Sequence, residues 1–168
     1  MIHLLSLLML LSPAFAKPKK TQSTTSTTTT TVVTTSVAAV KDEAKLVVNI
    51  EGIKEVKGQL LLSLFDQPEG FPRDKEKAKS YTTPKVTGEK MAITYDKLKP
   101  GFYAFSVIHD ANENGKPDLK KVLFVPVGLA EGAGASNNAK GSMGPPKFED
   151  AKFEVKAPET QITVKLDY

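Results

Sequence analysis

The densest chemistry in the chain lies in ten residues, "HDANENGKPD", His109 to Asp118. Counted from Asp110, oxygen-bearing side chains fall at the first, third, fifth and ninth positions: Asp110, Asn112, Asn114 and Asp118. Gly115 is sixth, where a calcium loop turns sharply, and the carbonyl of Lys116 stands at the seventh position, a backbone ligand. Alternate side chains of a tightly curled loop converge on one centre, so the spacing suits a hard cation with oxygen ligands. The segment offers about five ligands, and calcium takes roughly six to eight. The twelfth position is Lys121, where the helix-loop-helix calcium motif has a bidentate Glu, and the flanks read as strands. This is therefore not that motif. A calcium ion held here would complete its shell from Glu131, Asp66, Asp150 or water, with a Kd on the order of 10⁻⁴ to 10⁻³ M. The same residues also make a metal-free turn. Asn114-Gly115 is a strong hairpin signal between "GFYAFSVIHD" and "KVLFVPV", and Asp and Asn close Asx-turns onto their own backbone.

A second stretch, Gly128 to Pro146, holds 19 residues rich in Gly, Ala, Ser and Asn. A loop of that length inside a compact domain is usually functional or disordered. Its glycines let backbone amides approach a ligand closely. Ser136, Asn137 and Asn138 add a hydroxyl and two amides, and Glu131 a carboxylate, so these four form a candidate ligand-binding set. The alternative is an omega-type loop packed on itself, with its Asn residues bonded to its own backbone. No G-K-[ST] follows a strand, so this is not a P-loop.

Catalysis has little to work with. The chain has two histidines, His3 and His109, and no cysteine. That excludes thiolate chemistry and, in the domain, a multi-histidine transition-metal centre. A Ser-His-Asp set would have to combine His109, Asp110 and a serine such as Ser136, but neighbours on one strand point to opposite faces. Glu131 and Asp118 are the carboxylates that could meet for glycoside chemistry. No nucleophile elbow is present. The sequence predicts a protein that is not an enzyme, with no catalytic residue assigned. His109 reads as a strand-end residue whose ring packs beside Tyr103 and Phe105 and bonds backbone.

The elements that must position these loops are short and β-rich. "KLVVNIEGI", "GQLLLSLFD", "EKMAITYDKL", "GFYAFSVIHD", "KVLFVPV", "AKFEVKA" and "TQITVKLDY" each read as a strand, bounded by Gly, Pro or Asn. Period-two alternation puts Leu46, Val48 and Ile50 on one face, as it does Tyr103, Phe105, Val107 and His109, and Ile162, Val164 and Leu166. About seven such strands predict an all-β fold, an antiparallel β-sandwich of immunoglobulin-like or prealbumin-like (transthyretin-like) type. "RDKEKAKS", Arg73 to Ser80, is a solvated crossover with a helical turn or two. In "LKPGFY" the Pro100-Gly101 pair makes a tight turn, and Tyr103 enters a strand with its hydroxyl in reach of backbone. This L-x-P-G-x-Y phrase is similar to one in transthyretin-like and other prealbumin-type sandwiches.

Ahead of the domain, "MIHLLSLLMLLSPAFA" reads as a signal peptide, residues 1–16, with Ala14 and Ala16 at a small-x-small cleavage site. Its apolar run is shorter than the roughly 20 residues that span a bilayer, so no transmembrane segment is expected after cleavage. Residues 17–44 contain "TQSTTSTTTTTVVTT" and read as a disordered Thr-rich stalk, because such a tract cannot bury enough apolar surface to order itself. The domain is then residues 45–168. Of the net charge of +4, +3 falls within residues 17–45 and +1 from Leu46 onward, so the domain carries no nucleic-acid footprint.

"LKPGFYAFSVIHDANENGKPD", followed by "PVGLAEGAGASNNAKGSMGPPKFEDAKFEV", resembles a bacterial exported family catalogued as domain of unknown function 2141. The shared pattern is G-x-Y-A…H-D-x-N-x-N-G-x-x-D, then E-G-x-G-x-S-N-N, then G-x-P-x-F-x-x-A, and it covers Lys45 to the C-terminus. The resemblance implies no activity. Many members of that family carry aromatic residues in the second motif where this chain has Ala133 and Ala135, so the departure argues against an aromatic sugar platform here.

The expectation is a secreted or periplasmic, non-catalytic binding or structural module of the cell envelope. One Ca²⁺ at residues 110–118 would rigidify the end of the sandwich, and the partner would be an envelope protein or a glycan. The alternative is a small-molecule or glycan binder using the Gly-rich loop 128–146.

Overall fold

A computed structural model describes residues 43–168. The leader-like residues 1–16 lie outside them, as does the Thr-rich stretch apart from Glu43 and Ala44. Ten strands follow in chain order among the described residues: β1 (Ala44–Glu51), β2 (Gln59–Phe65), β3 (Ser80–Thr82), β4 (Lys90–Leu98), β5 (Gly101–Asp110), β6 (Leu119–Val122), β7 (Val125–Leu129), β8 (Ala133–Ala135), β9 (Phe153–Val155) and β10 (Glu159–Lys165). One short helix, α1 (Phe148–Ala151), precedes β9.

The fold is all-β. One sheet has the order β10-β1-β4, and a second has β3-β2-β5-β8 with β9 joined to the start of β5. The alternation read in the sequence sets the inner faces. Leu46, Val48 and Ile50 of β1, with Val164 and Leu166 at the end of the chain, share one core with Leu60, Leu62 and Leu64 of β2 and with Tyr103, Phe105 and Val107 of β5. A core drawn from both sheets is what a sandwich requires.

β2 and β5 are buried on both faces, because the outer face of the larger sheet carries a smaller cluster of its own. Phe65, Ala104, Ala135, Phe148 and Ala151 pack there with Phe71. The Phe71 ring meets Phe65 and Phe148 edge-on, with centroids 5.3 and 5.9 Å away. A strand covered on both sides wants a continuous apolar run rather than alternation, and "LLLSLF" supplies it.

Three expectations change. The strands number ten rather than about seven, because β3 and β8 have only three residues each, too few to show a period, and one expected strand is two. The sandwich is not purely antiparallel: β10 pairs with β1 in parallel, Lys45 opposite Glu159 through Glu51 opposite Lys165, since the chain has already crossed by way of β9. And "KVLFVPV" is not one strand. It is most of a hairpin, β6 paired with β7, with Val122 opposite Val125.

The local phrases behave as read. The crossover holds a single 3-10 turn at Lys75–Lys77, capped by Asp74, whose carboxylate accepts the Glu76 N–H at 3.1 Å. The Tyr103 hydroxyl donates to the Lys99 carbonyl at 2.8 Å, which closes the Pro100-Gly101 turn.

Candidate functional site

Asp110 is the last residue of β5 and is fully buried. It lies beneath the segment entering β2: a Cβ on Gly58 would stand 2.3 Å from the Asp110 carbonyl oxygen, and Gly58 sits at φ +71. Glycine meets both demands. The Asp110 carboxylate accepts the Gln59 side-chain amide at 2.8 Å, the Gly115 N–H at 2.8 Å and the Asn114 N–H at 3.1 Å. Burial alone would push its carboxyl up, but the Gln59 amide and the N–H groups of Gly115, Asn114 and Glu113 outweigh that and hold it below the usual carboxylate range.

The rest of the loop follows that anion. The Asn112 and Asn114 amides donate to the two oxygens of Asp118 at 2.6 and 3.0 Å. Their own carbonyl oxygens accept the N–H groups of Asn114 at 3.1 Å and Lys116 at 2.8 Å, both Asx-turns. Asn114-Gly115 does not form the two-residue hairpin the sequence suggested. β5 pairs with β2, β8 and β9 rather than with β6, and the left-handed residues are Glu113 (φ 60) and Gly115 (φ 73). The segment is a loop wound around a buried carboxylate.

Glu131 joins this loop. Its carboxylate accepts the Asp118 N–H at 3.0 Å and also faces the N–H of Ala111, so it bridges the two ends of the loop. Burial, then repulsion from the Asp118 and Asp110 charges, pushes its carboxyl up against the pull of those N–H groups. Of the other donors considered, Asp66 lies beyond the far end of β2, paired with Lys79, and Asp150 sits on α1. Among the described residues no three carboxylate or imidazole groups are arranged to hold a metal ion. An ion here would have to draw on the amide oxygens of Asn112 and Asn114 and on backbone carbonyls such as that of Lys116.

The second motif is spent on the fold. Ser136 is fully buried; its hydroxyl donates to the Ala151 carbonyl at 2.5 Å and accepts the Phe105 N–H at 2.9 Å. Asn137 (φ 57) donates to the Lys152 carbonyl at 2.9 Å, and Asn138 (φ 50) accepts the Lys165 N–H at 2.9 Å. Asn is the non-glycine residue most at ease in that conformation. These three side chains tie β5, the α1–β9 segment and β10 together. Glu131 acts at a different place, so the four residues do not form one ligand set.

His109 points the other way from Asp110, into the sandwich. Its Nε2–H donates to the Lys57 carbonyl at 2.9 Å, since a carbonyl only accepts, and Nδ1 takes the Tyr168 hydroxyl at 2.8 Å. The ring stacks edge-on against Tyr168, centroids 6.0 Å apart, rather than on Tyr103 or Phe105. Gly132 makes room: a Cβ there would lie 2.4 Å from the Tyr168 ring. The partners of His109 and Ser136 are different groups, and no bond joins the two.

The Gly-rich segment does border a cavity, of about 360 Å³, on the outer face of β5 and β8. Its floor includes Ser106, Ile108, Ala133 and Ala135, and its walls come from Pro72-Arg73, from Val127–Leu129 of β7 and from the 139–146 loop. Ser106 donates to the Pro72 carbonyl at 2.8 Å and so fixes one wall to the floor. No aromatic residue lines it. Lys140 is paired with Asp167 at 2.8 Å, whereas Arg73 enters no ion pair among the described residues.

A feature that sequence reasoning missed rises beside this cavity. The β6–β7 hairpin turns at Leu123 (φ 49) and Phe124 (φ 68), whose side chains are 87% and 94% exposed. Two consecutive left-handed residues are the mark of a type I′ turn, normally built from Asn and Gly. With neither residue present, an apolar run gave no turn signal.

A family model described as an uncharacterized protein conserved in bacteria (DUF2141) matches residues 48–163. No curated protein and no solved structure matches the chain.

Proposed function

The chain belongs to this bacterial family, and from that premise we propose that it is a non-catalytic binding module whose ligand site is the cavity on the outer face of β5 and β8. The observation that carries this reading is the cavity itself: about 360 Å³, within the range of small-molecule sites, with Ile108, Ala133 and Ala135 in its floor and Arg73, Lys140, Lys165 and Asp167 around it. Arg73 on its wall, free of carboxylate partners among the described residues, favours a ligand with an aliphatic body and a carboxylate. The absence of aromatic lining weighs against a stacked sugar. The leader-like residues 1–16 support a secreted or periplasmic setting in the cell envelope, and among the described residues no helix is long and apolar enough to cross a membrane. That the module is not an enzyme is supported by His109 and Ser136, whose hydrogen bonds are all internal.

The test is backbone amide NMR during titration with short-chain carboxylates, hexanoate first. Shifts confined to residues 106–108, 127–129 and 133–146, and abolished by Ala133→Phe, are the expected result. Ala133 lines the cavity and is half-buried, so a ring there fills it. Shifts elsewhere, or shifts unchanged by Ala133→Phe, would sink the reading.

A second reading is favoured by one observation. Glu131 is held against the charges of Asp118 and Asp110, a repulsion that a calcium ion would relieve. Calcium would then be a structural ion of the 110–118 loop. Unfolding in EDTA and in about 5 mM calcium separates the two cases: at a Kd near 0.1 mM, linkage gives about 2 kcal/mol of stabilisation.

A further inference from the structure

We infer that the β6–β7 hairpin docks on an anionic lipid bilayer surface, with Leu123 and Phe124 entering the acyl boundary and Lys120 and Lys121 at the headgroups. Three observations carry this, and of the residues they use only Val127 also lines the cavity.

The first is exposure. Leu123 and Phe124 are 87% and 94% exposed, and Val125 and Val127 behind them are more than half exposed. Scattered surface apolars are ordinary, but here they gather on one narrow element and reach their maximum at its apex. The second is backbone geometry. Leu123 and Phe124 hold φ values of 49 and 68, a region costly for bulky residues and needless in a turn that Asn-Gly would make freely. Exposure and strain at the same two residues mark a tip kept for contact rather than for folding.

The third is charge. From Leu119 to Ala130 there is no carboxylate. Lys116, Lys120 and Lys121 enter no ion pair among the described residues; of the fifteen other lysines there, nine do and six do not. The nearest acids are engaged in the adjoining loop: Asp118 accepts the amides of Asn112 and Asn114, and Glu131 accepts the Asp118 N–H. From Lys121 to the turn at Leu123 and Phe124 two residue steps cover about 7 Å, within the depth that interfacial apolar groups reach below the headgroups. A flat protein partner would be met by a broad apolar face. Apolar residues at an apex, with unpaired lysines one step behind, fit a bilayer surface better.

The chain has no tryptophan, so Phe124→Trp in the full chain makes a unique reporter at an exposed site that the fold does not use. Phe102→Trp is the control: Phe102 is 56% exposed at the opposite end of β5, under Lys152. The probes are vesicles of phosphatidylcholine alone and of phosphatidylcholine with about 30% phosphatidylglycerol, enough to set a negative surface potential. The expected result for Phe124→Trp is a blue shift of the indole emission, with quenching by acyl-chain bromines, in anionic vesicles only. The emission of Phe102→Trp should stay unchanged. Adding Lys120→Gln with Lys121→Gln to the Phe124→Trp chain should weaken its response roughly thirtyfold, and about 0.5 M salt should act in the same direction. A Phe124→Trp spectrum unmoved by anionic vesicles overturns the proposal, whether or not the protein sediments with them. So does an equal shift in neutral vesicles. A shift that appears without lipid and grows with protein concentration overturns it in favour of a second copy packed on the hairpin.

Discussion

Two turns follow one another along this chain, and they are built on opposite principles. In the loop from Asp110 to Asp118 the Asp and Asn side chains serve the turn. Asp110 gathers the N–H groups of Asn114 and Gly115, the Asn side chains close Asx-turns, Gly115 takes a left-handed position and Glu131 bridges the loop's ends. At the hairpin tip nothing serves the turn. Leu123 and Phe124 stand where Asn and Gly would be at ease, and they face water. Agreement between residue and local conformation is what folding alone produces, and a local disagreement without compensation points to something outside the fold. The loop that looked most like a site is therefore well explained as architecture. The hairpin that looked like an ordinary strand is not.

The largest effect expected from this contrast is at Asp110. Asp110→Ala removes the acceptor of three N–H donors, one of them the part-buried Gln59 amide, at a fully buried position. A loss of about 2–3 kcal/mol follows from hydrogen bonds to a charged group. Urea unfolding in EDTA measures it. A loss below about 0.5 kcal/mol would mean that the loop's hydrogen bonds are ornamental and would break the comparison on its architectural side.

Much of this was legible in the sequence, and the exceptions share a cause. Period-two alternation in β1 and β5 gave the inner faces, and Gly, Pro and Asn gave most of the boundaries, because those residues act through local geometry. The partnership of Glu131 with the Asp110 loop was also within reach, from carboxylate spacing and two long loops in one domain. What stayed hidden depends on the fold as a whole. Strands of three residues have no readable period. The parallel pairing of β10 with β1 is settled by sheet order. Ser136, Asn137 and Asn138 looked like ligand groups because their backbone partners at Phe105, Ala151, Lys152 and Lys165 are far along the chain. The Leu123-Phe124 turn was invisible for a different reason: its residues contradict it.

That contradiction gives the next effect. Leu123→Asn with Phe124→Gly installs the residues a type I′ turn prefers and removes two exposed apolar side chains. Relief of two left-handed bulky residues should stabilise the domain by about 1–2 kcal/mol. The same variant should lose whatever the tip contributes to contact with a bilayer. A gain in stability with a loss of vesicle binding sharpens the comparison, since a residue kept at the expense of stability is kept for another purpose. A variant less stable than the parent would show that the tip is part of the fold after all.

The smallest effect is at Glu131, and it carries the most information about the loop. Its carboxyl is pushed up in the folded state from 4.5, so its protonated form favours the native state. Its contribution to stability is therefore fully present below about pH 4.5 and is lost as pH rises through the raised folded value. Asp110 has the opposite sign: held below 3.8, it contributes at all higher pH and fades only as acid protonates it. Glu131→Gln keeps a carbonyl oxygen for the Asp118 N–H and removes the charge that Asp118 and Asp110 repel. Without metal, the variant should match the parent near pH 4 and exceed it by a few tenths of a kcal/mol at about pH 7. Calcium reverses this if it binds, because the parent then gains about 2 kcal/mol at roughly 5 mM and the variant gains less. An order of stability that inverts on adding calcium would make the loop a metal site built on the same hydrogen bonds. An order unchanged by calcium leaves Glu131 as the charge that closes the loop, held there at a small electrostatic cost.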